Sequence, residues 1–278
     1  MLSAKQLKGI QHLQQQCEQH DIVELKLNWE MLRERADDSL DFFVWRDHEL
    51  IAYLALYGFG STVEICGMVT PEERRNGHFT KLWNDAQQVI EDKGFKKILF
   101  NAPGTSESAK GWMSAQPCDY SFSEFHMHWQ EKELAETKDI ALRTAVPEDK
   151  TFETALDAEA FSLSLEDAES YYSERLSRVE EQRYIIEAGG TAIGKIRVTR
   201  SYNESYISGF AVLADFRGKG YGGQALQWIV QHEIPTGNTI KLDVETKNEN
   251  ALKLYERIGF VQHERQDYYE VLRNLAVK

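Results

Sequence analysis

The residues best able to do chemistry lie together between Ile207 and Gln224. An apolar run, Ile207 to Val212, breaks into Arg217-Gly-Lys-Gly-Tyr-Gly-Gly, and the helical spacing of Ala225, Leu226, Trp228, Ile229 and Val230 follows at once. Gly218, Gly220, Gly222 and Gly223 remove the side chains that would keep a ligand off the backbone. The free N–H groups of the first helical turn then point back into the turn, and an anion is the natural occupant. Glycine-rich turns also serve tight packing, so the spacing matters. It is not G-x-G-x-x-G and contains no G-K-[ST], which sets aside the dinucleotide and P-loop readings. What remains is a strand ending at Val212, followed by Arg217-x-x-Gly220-x-Gly222. A second motif runs from Val244 to Phe260: a strand end, Asn248, a short helical stretch through Ala251, Leu254 and Tyr255, then Gly259-Phe260.

These motifs need elements to hold them. In the second half, Arg183 to Ala188 and Ala192 to Thr199 read as strands joined by Gly189-Gly190, a two-residue hairpin turn. Helical stretches run from Thr151 to Ala160 and from Leu165 to Arg178, Thr239 to Val244 is a buried strand, and Val261 to Val271 closes with more strand. The first half shows the same plan. Helical spacing covers residues 3 to 20 and Leu25 to Leu32. Phe42 to Trp45 and Leu50 to Tyr57 form a hairpin across Arg46-Asp-His-Glu49, and Glu64 to Val69 is a strand. An amphipathic helix carries Leu82, Trp83, Ala86, Val89 and Ile90, and Lys97 to Asn101 is a strand. Arg74-x-x-Gly77 follows Val69 as Arg217-x-x-Gly220 follows Val212, which points to an internal duplication. The charged run from Gln130 to Asp139 lacks apolar periodicity and reads as a linker.

The chain has 278 residues, enough for two domains with separate cores. Its net charge of −13 argues against nucleic acid as a partner, because a phosphate backbone needs a basic face. No apolar segment approaches the length of a membrane span. The first residues lack the apolar core of a signal peptide, so a cytoplasmic location is expected. Cys17, Cys66 and Cys118 are odd in number and scattered, a poor basis for a disulfide framework or a metal site.

The two motifs of the second half resemble those of the GNAT (Gcn5-related N-acetyltransferase) superfamily over roughly residues 140 to 272. The resemblance implies an α/β fold of two tandem GNAT-like domains, each a mixed, mostly antiparallel sheet flanked by helices. The expected boundaries are 1–130, a linker at 131–139, and 140–278. It implies acetyl-CoA as cosubstrate and transfer of the acetyl group to a primary amine of a small molecule by direct attack. Backbone groups of Phe210, Ala211 and Val212 would pair with the pantetheine arm as an added strand does. The loop Arg217, Gly218, Lys219, Gly220, Tyr221 and Gly222 would hold the pyrophosphate. Tyr255 would give a proton to the departing thiolate, since a phenol near pKa 10 stays protonated at neutral pH. Asn248 would contact the cofactor arm or cap its helix. Some members use a strand glutamate as base. The matching position here is Tyr206, with Glu204, Asp243 and Glu245 nearby and proton loss through ordered water as an alternative.

The first half departs from the pattern. Phe79 stands where Gly222 does, and Trp112 or Met113 falls where Tyr255 does, so this copy is expected to be degenerate and to shape structure or substrate. Glu64, His126 and His128 either line a pocket there or simply alternate along a strand. A different reading of the whole chain is a non-catalytic acyl-CoA-binding or recognition module. The intact Tyr255 beside an intact loop favours the enzyme.

Overall fold

The structure, a computed structural model, describes residues 1–36, 38–176, 180–201 and 203–272. Arg178, placed by the sequence at a helix end, and the last residues of the chain lie outside them. The chain forms two compact units, one of Met1–Ser123 with Glu264–Lys278 and the other of Glu124–His263.

In the first unit, α1 (Ala4–Asp21) and α2 (Trp29–Glu34) precede β1 (Asp41–Arg46), β2 (Glu49–Phe59) and β3 (Thr62–Val69). Then come α3 (His78–Asp92), β4 (Lys97–Pro103), α4 (Glu107–Met113) and the start of β5 (Cys118–Trp129). The expected helix over Leu25 to Leu32 is confined to α2. Ile22 takes a left-handed conformation that ends α1, and the Leu25 N–H is drawn onto the Glu18 carboxylate at 2.9 Å. The hairpin turn forms as expected, with Asp47 and His48 both at positive φ, as a two-residue turn of the primed type requires. Strands β1, β2 and β3 are antiparallel neighbours, and β3 runs parallel to β4 across the α3 crossover.

The second unit repeats this order. It holds β6 (Ala141–Thr144), α5 (Lys150–Phe161), α6 (Leu165–Arg175), β7 (Glu181–Ala188), β8 (Thr191–Ser201) and β9 (Glu204–Val212). It continues with α7 (Tyr221–Glu233), β10 (Thr239–Glu245), α8 (Glu249–Ile258) and the start of β11 (Phe260–Val271). Strands β6 to β9 are antiparallel in sequence, and β9 runs parallel to β10. The apolar stripe of α7, Ala225, Leu226, Ile229 and Val230, buries itself against Ile196, Val198, Ile207, Leu242 and Val244. Leu226, Ile229 and Val230 each contribute roughly 1.5–3 kcal/mol of burial.

Each unit borrows its last strand from the other half of the sequence. Residues Glu124 to His128 of β5 pair antiparallel with β10, and Gln266 to Glu270 of β11 pair antiparallel with β4. The units therefore divide at Ser123 and His263, where boundaries at 130 and 140 were expected. Strand pairing with a distant partner, and no break in composition, sets these edges. The charged run after Gln130 is laid on the second unit: the Lys138 and Asp139 N–H groups donate to Gln224 Oε1, and Leu134 packs on the core.

The face of β7 and β8 turned toward α5 and α6 carries charge instead of apolar side chains. Lys195 forms an ion pair with Asp157, Arg197 lies 3.3 Å from Asp157, and Arg183 donates to Glu153 at 3.0 Å. Burial pushes the Lys195 ammonium down to about 8.

Candidate functional site

The site begins where two parallel strands part. The β9–β10 ladder runs from Glu204–Thr239 to Ile207–Leu242 and ends there. Beyond it, β9 continues to Val212 while still paired with β8 on its other side, Ala211 opposite Lys195 and Val212 opposite Gly194. Among the described residues, its edge toward β10 from Ser208 to Val212 therefore has no ladder partner. A bulge marks this transition: Gly209, at φ +54, is the extra residue opposite the segment between Lys195 and Arg197. A side chain at Gly209 would enter the Arg197 guanidinium. An unpaired strand edge inside a domain is costly unless something pairs with it, and an extended amide-bearing arm can do so.

At the far end of that edge lies the glycine loop. Arg217 Nε donates to the Val212 carbonyl at 2.7 Å, and Nη2 lies 3.2 Å from Glu159 Oε1. Its guanidinium thus folds the loop back onto β9. Gly218 and Gly220 sit at φ +74 and +86, a region that strains any residue with a Cβ. Gly220 is the N-cap of α7, and no side chain caps the first turn. The N–H groups of Tyr221, Gly222 and Gly223 have no partner within the helix and carry its positive end. A Cβ at Gly222 would stand 3.4 Å from Phe210 Cζ, so the ring of Phe210 already covers that residue from the strand side. Lys219 extends over Phe216, 5.2 Å from its centroid, and brings a cation to the same loop.

The second motif stands on α8. Asn248 Oδ1 accepts from the Ala251 N–H at 3.2 Å, which makes it the helix N-cap. Tyr255 is buried, packed edge-on to Phe260, and burial pushes its phenol up to about 12. Its hydroxyl stays protonated at every physiological pH. Gly259 ends the helix at φ +113.

Pantetheine and pyrophosphate fit these residues on three counts. The loop has open space at Gly218 and Gly220, the α7 N-terminus is uncapped, and a strand edge lacks a partner. His232, His126 and His128 lie outside the glycine loop. His232 stacks on Trp228 and lies 2.7 Å from its carbonyl, an exposed helix face. His126 and His128, expected with the first half, belong to the second unit, because β5 crosses into it and His126 pairs in register with Asp243. The sequence also missed the Asp157–Lys195–Arg197 cluster, whose members are far apart in the chain.

The first unit keeps the same plan with different contents. Its β3–β4 ladder ends at Ile65–Phe100, and Arg74 Nε donates to the Val69 carbonyl at 3.1 Å. Gly77 caps α3 at φ +80, but Arg75, at φ +64, occupies the place of Gly218. Phe79 does not project into the loop mouth. It turns onto β3, where a Cβ at Gly67 would stand 2.5 Å from its Cε2, and meets Trp112 edge-on at 4.7 Å. A cavity of about 890 Å³ remains here, lined by Arg74, Gly77, Phe79, Asn101 and Trp112.

Comparison with known proteins agrees with this geometry. The model of the acetyltransferase (GNAT) family matches residues 7–110 and 149–260. Over 63 residues, 22% of the chain, it is 40% identical to mycothiol acetyltransferase of Corynebacterium aurimucosum, and that stretch spans only 20% of the relative's length. Among solved structures, a GCN5-related N-acetyltransferase of Sphaerobacter thermophilus superposes with a TM-score of 0.78 at 20% identity, covering 94% of this chain and 91% of that one. A tandem GNAT protein from the clavulanic acid biosynthesis pathway gives 0.63 at 16% identity, with 83% and 81% covered. At these identities the structures speak for the fold alone. With both halves matched, the chain belongs to the GNAT acetyltransferase family and carries that family's domain twice.

Proposed function

We propose that the chain is an acetyl-CoA-dependent N-acetyltransferase, that its second unit is the active copy, and that the acceptor is a primary amine of a small molecule attacking the thioester directly. The observation that carries this reading is the parting of β9 from β10 after Ile207–Leu242, with the uncapped α7 N-terminus at the far end of the bare edge; the first unit parts its strands likewise but has Arg75 in the place of Gly218 and Trp112 in the place of Tyr255. When bound, acetyl-CoA supplies the activated acetyl group. Backbone amides of Phe210 to Val212 offer the edge along which its arm lies, and the N–H groups from Gly218 to Gly222 receive the pyrophosphate. Asn248, while capping α8, keeps its amide nitrogen for the same arm.

Tyr255 has a narrower task than its ordinary pKa would give it. A phenol pushed up to about 12 is a weaker acid than a thiol near 8.5, so it serves first as a hydrogen-bond donor to the developing thiolate. Transfer of its proton to sulfur runs uphill and is completed as solvent returns a proton to the phenolate. The first unit lacks this donor, and Trp112 there spends its indole N–H on Thr80.

The test is a panel of primary amines, polyamines and aminoglycosides incubated with acetyl-CoA, read as free thiol. Turnover with at least one amine is expected. Cofactor affinity without thiol release from any of them would favour the recognition module instead.

A further inference from the structure

A group of titratable side chains stands where β9 and β10 part, and the proposed function leaves it unused. Asp243 is the first residue of β10 beyond the last rung, Ile207–Leu242. Its Oδ2 accepts from the Tyr206 hydroxyl at 2.9 Å and lies 3.6 Å from His126 Nε2. The carboxylate and the imidazole are mostly buried, at 15% and 18% exposure. Both belong to the polar face of the sheet, because Ile207, Leu242, Val244 and Met127 fill the apolar core behind them. Register places Lys241 and His128, then Glu245 and Glu124, on that same face. Glu204 reaches Lys241, and His263 meets the His128 ring at 5.0 Å.

Length brings the chemistry to this point. From Val212, beside the pyrophosphate loop, back to Ile207 is about 16 Å of strand. The pantetheine arm has the reach of a little over four residues of extended backbone, about 15 Å. An arm laid along the edge therefore ends beside Tyr206 and Asp243.

The first unit supplies an internal control. Its ladder ends at Ile65–Phe100, and the next residue is Asn101, paired in register with Tyr268. Where one copy has Asp243 beside His126, the other has Asn101 beside Tyr268. An amide cannot take up a proton.

We propose that Asp243, held by Tyr206 and His126, takes the acceptor's proton. The inference rests on the acetyl-transfer reading. As the amine nitrogen bonds to the thioester carbonyl carbon, one of its N–H bonds breaks and Asp243 Oδ2 takes the proton. The C–S bond breaks with its electron pair on sulfur, and Tyr255 gives sulfur its hydroxyl proton. Solvent then carries a proton from Asp243 to Tyr255, leaving the amide and the free thiol. His126 is a positioning residue that fixes the carboxylate.

The experiment uses the full chain, acetyl-CoA and the best amine of the panel. Asp243→Asn is expected to lower kcat about 100- to 1,000-fold at pH 7, with partial recovery on raising the pH because hydroxide then takes the proton of the attacking nitrogen. Asp243→Glu keeps a carboxylate and is expected to retain more activity than Asp243→Asn, and His126→Asn to lose about tenfold. Coenzyme A affinity by calorimetry is expected to stay within about twofold in all three, since none of them touches the loop. In the ligand-free chain, the imidazole nitrogen resonances of His126 are expected to shift on Asp243→Asn. An active wild type beside an equally active Asp243→Asn, with those resonances unmoved, overturns the assignment. A wild type that releases no thiol with any amine overturns the acetyl-transfer reading itself.

Discussion

The two glycine loops are built on one frame and finished differently. Arg74 and Arg217 each hold the last carbonyl of the preceding strand, and Gly77 and Gly220 each cap the following helix at positive φ. Both copies also place one aromatic ring between strand and helix. In the second unit it comes from the strand, Phe210 over Gly222; in the first it comes from the helix, Phe79 over Gly67. The fold needs the ring from one side or the other. The exchange leaves position 222 without a side chain in the second unit, where the first unit carries Phe79.

Breaking that difference should have the largest effect. Gly222→Phe puts a second ring where Phe210 already sits, and overpacking of about 3 kcal/mol predicts a loss of acetyl-CoA affinity of about 100-fold by calorimetry. Adding Phe210→Gly opens the seat found at Gly67, and the double variant should recover most of the lost thermal stability while affinity stays low.

Tyr255→Phe removes a donor that the first unit lacks, and kcat should fall about 100-fold with coenzyme A affinity unchanged. The working form of Tyr255 is the neutral one, lost only as pH passes about 12. The ratio of wild-type to variant kcat should therefore stay flat as pH rises from 7 to 10, and a ratio collapsing in that window would argue against the role.

Smaller effects sharpen the backbone half of the comparison. Gly218→Ala meets no neighbour within 4 Å, so its cost is backbone strain alone. About 1 kcal/mol of strain predicts acetyl-CoA binding weaker by about fivefold. Arg75→Gly relieves the same strain in the first unit and should raise its melting temperature by about 2–4 °C without changing cofactor binding.

Much of this was legible in the sequence because it is local. The strand, loop and helix from Ile207 to Val230, the hairpin at Gly189-Gly190 and the helix ending at Gly259 all follow from residues that touch close neighbours in the chain. The choice for Asn248 between cap and contact was legible as a choice, and the structure gives it the cap. What escaped is non-local. Nothing in the composition of Glu124 to Trp129 says that it will pair with β10, and nothing in Gln266 to Glu270 points to β4. The pairing of His126 with Asp243 was hidden for the same reason: they lie far apart in the chain, and only the register joins them. Phe79 was legible as an anomaly but not as half of an exchange with Gly67. Lys195 and Arg197 read as ordinary alternation until α5 brings Asp157 onto them.

The most direct test of the central claim is the stoichiometry of acetyl-CoA binding to the full chain, measured by calorimetry on the wild type and on Gly222→Phe. One equivalent per chain in the wild type, with affinity for it about 100-fold weaker in the variant, is the expected result. Two equivalents of similar affinity would give the first unit a cofactor site of its own, one whose affinity Gly222→Phe leaves unchanged would move the site there, and either would contradict the claim.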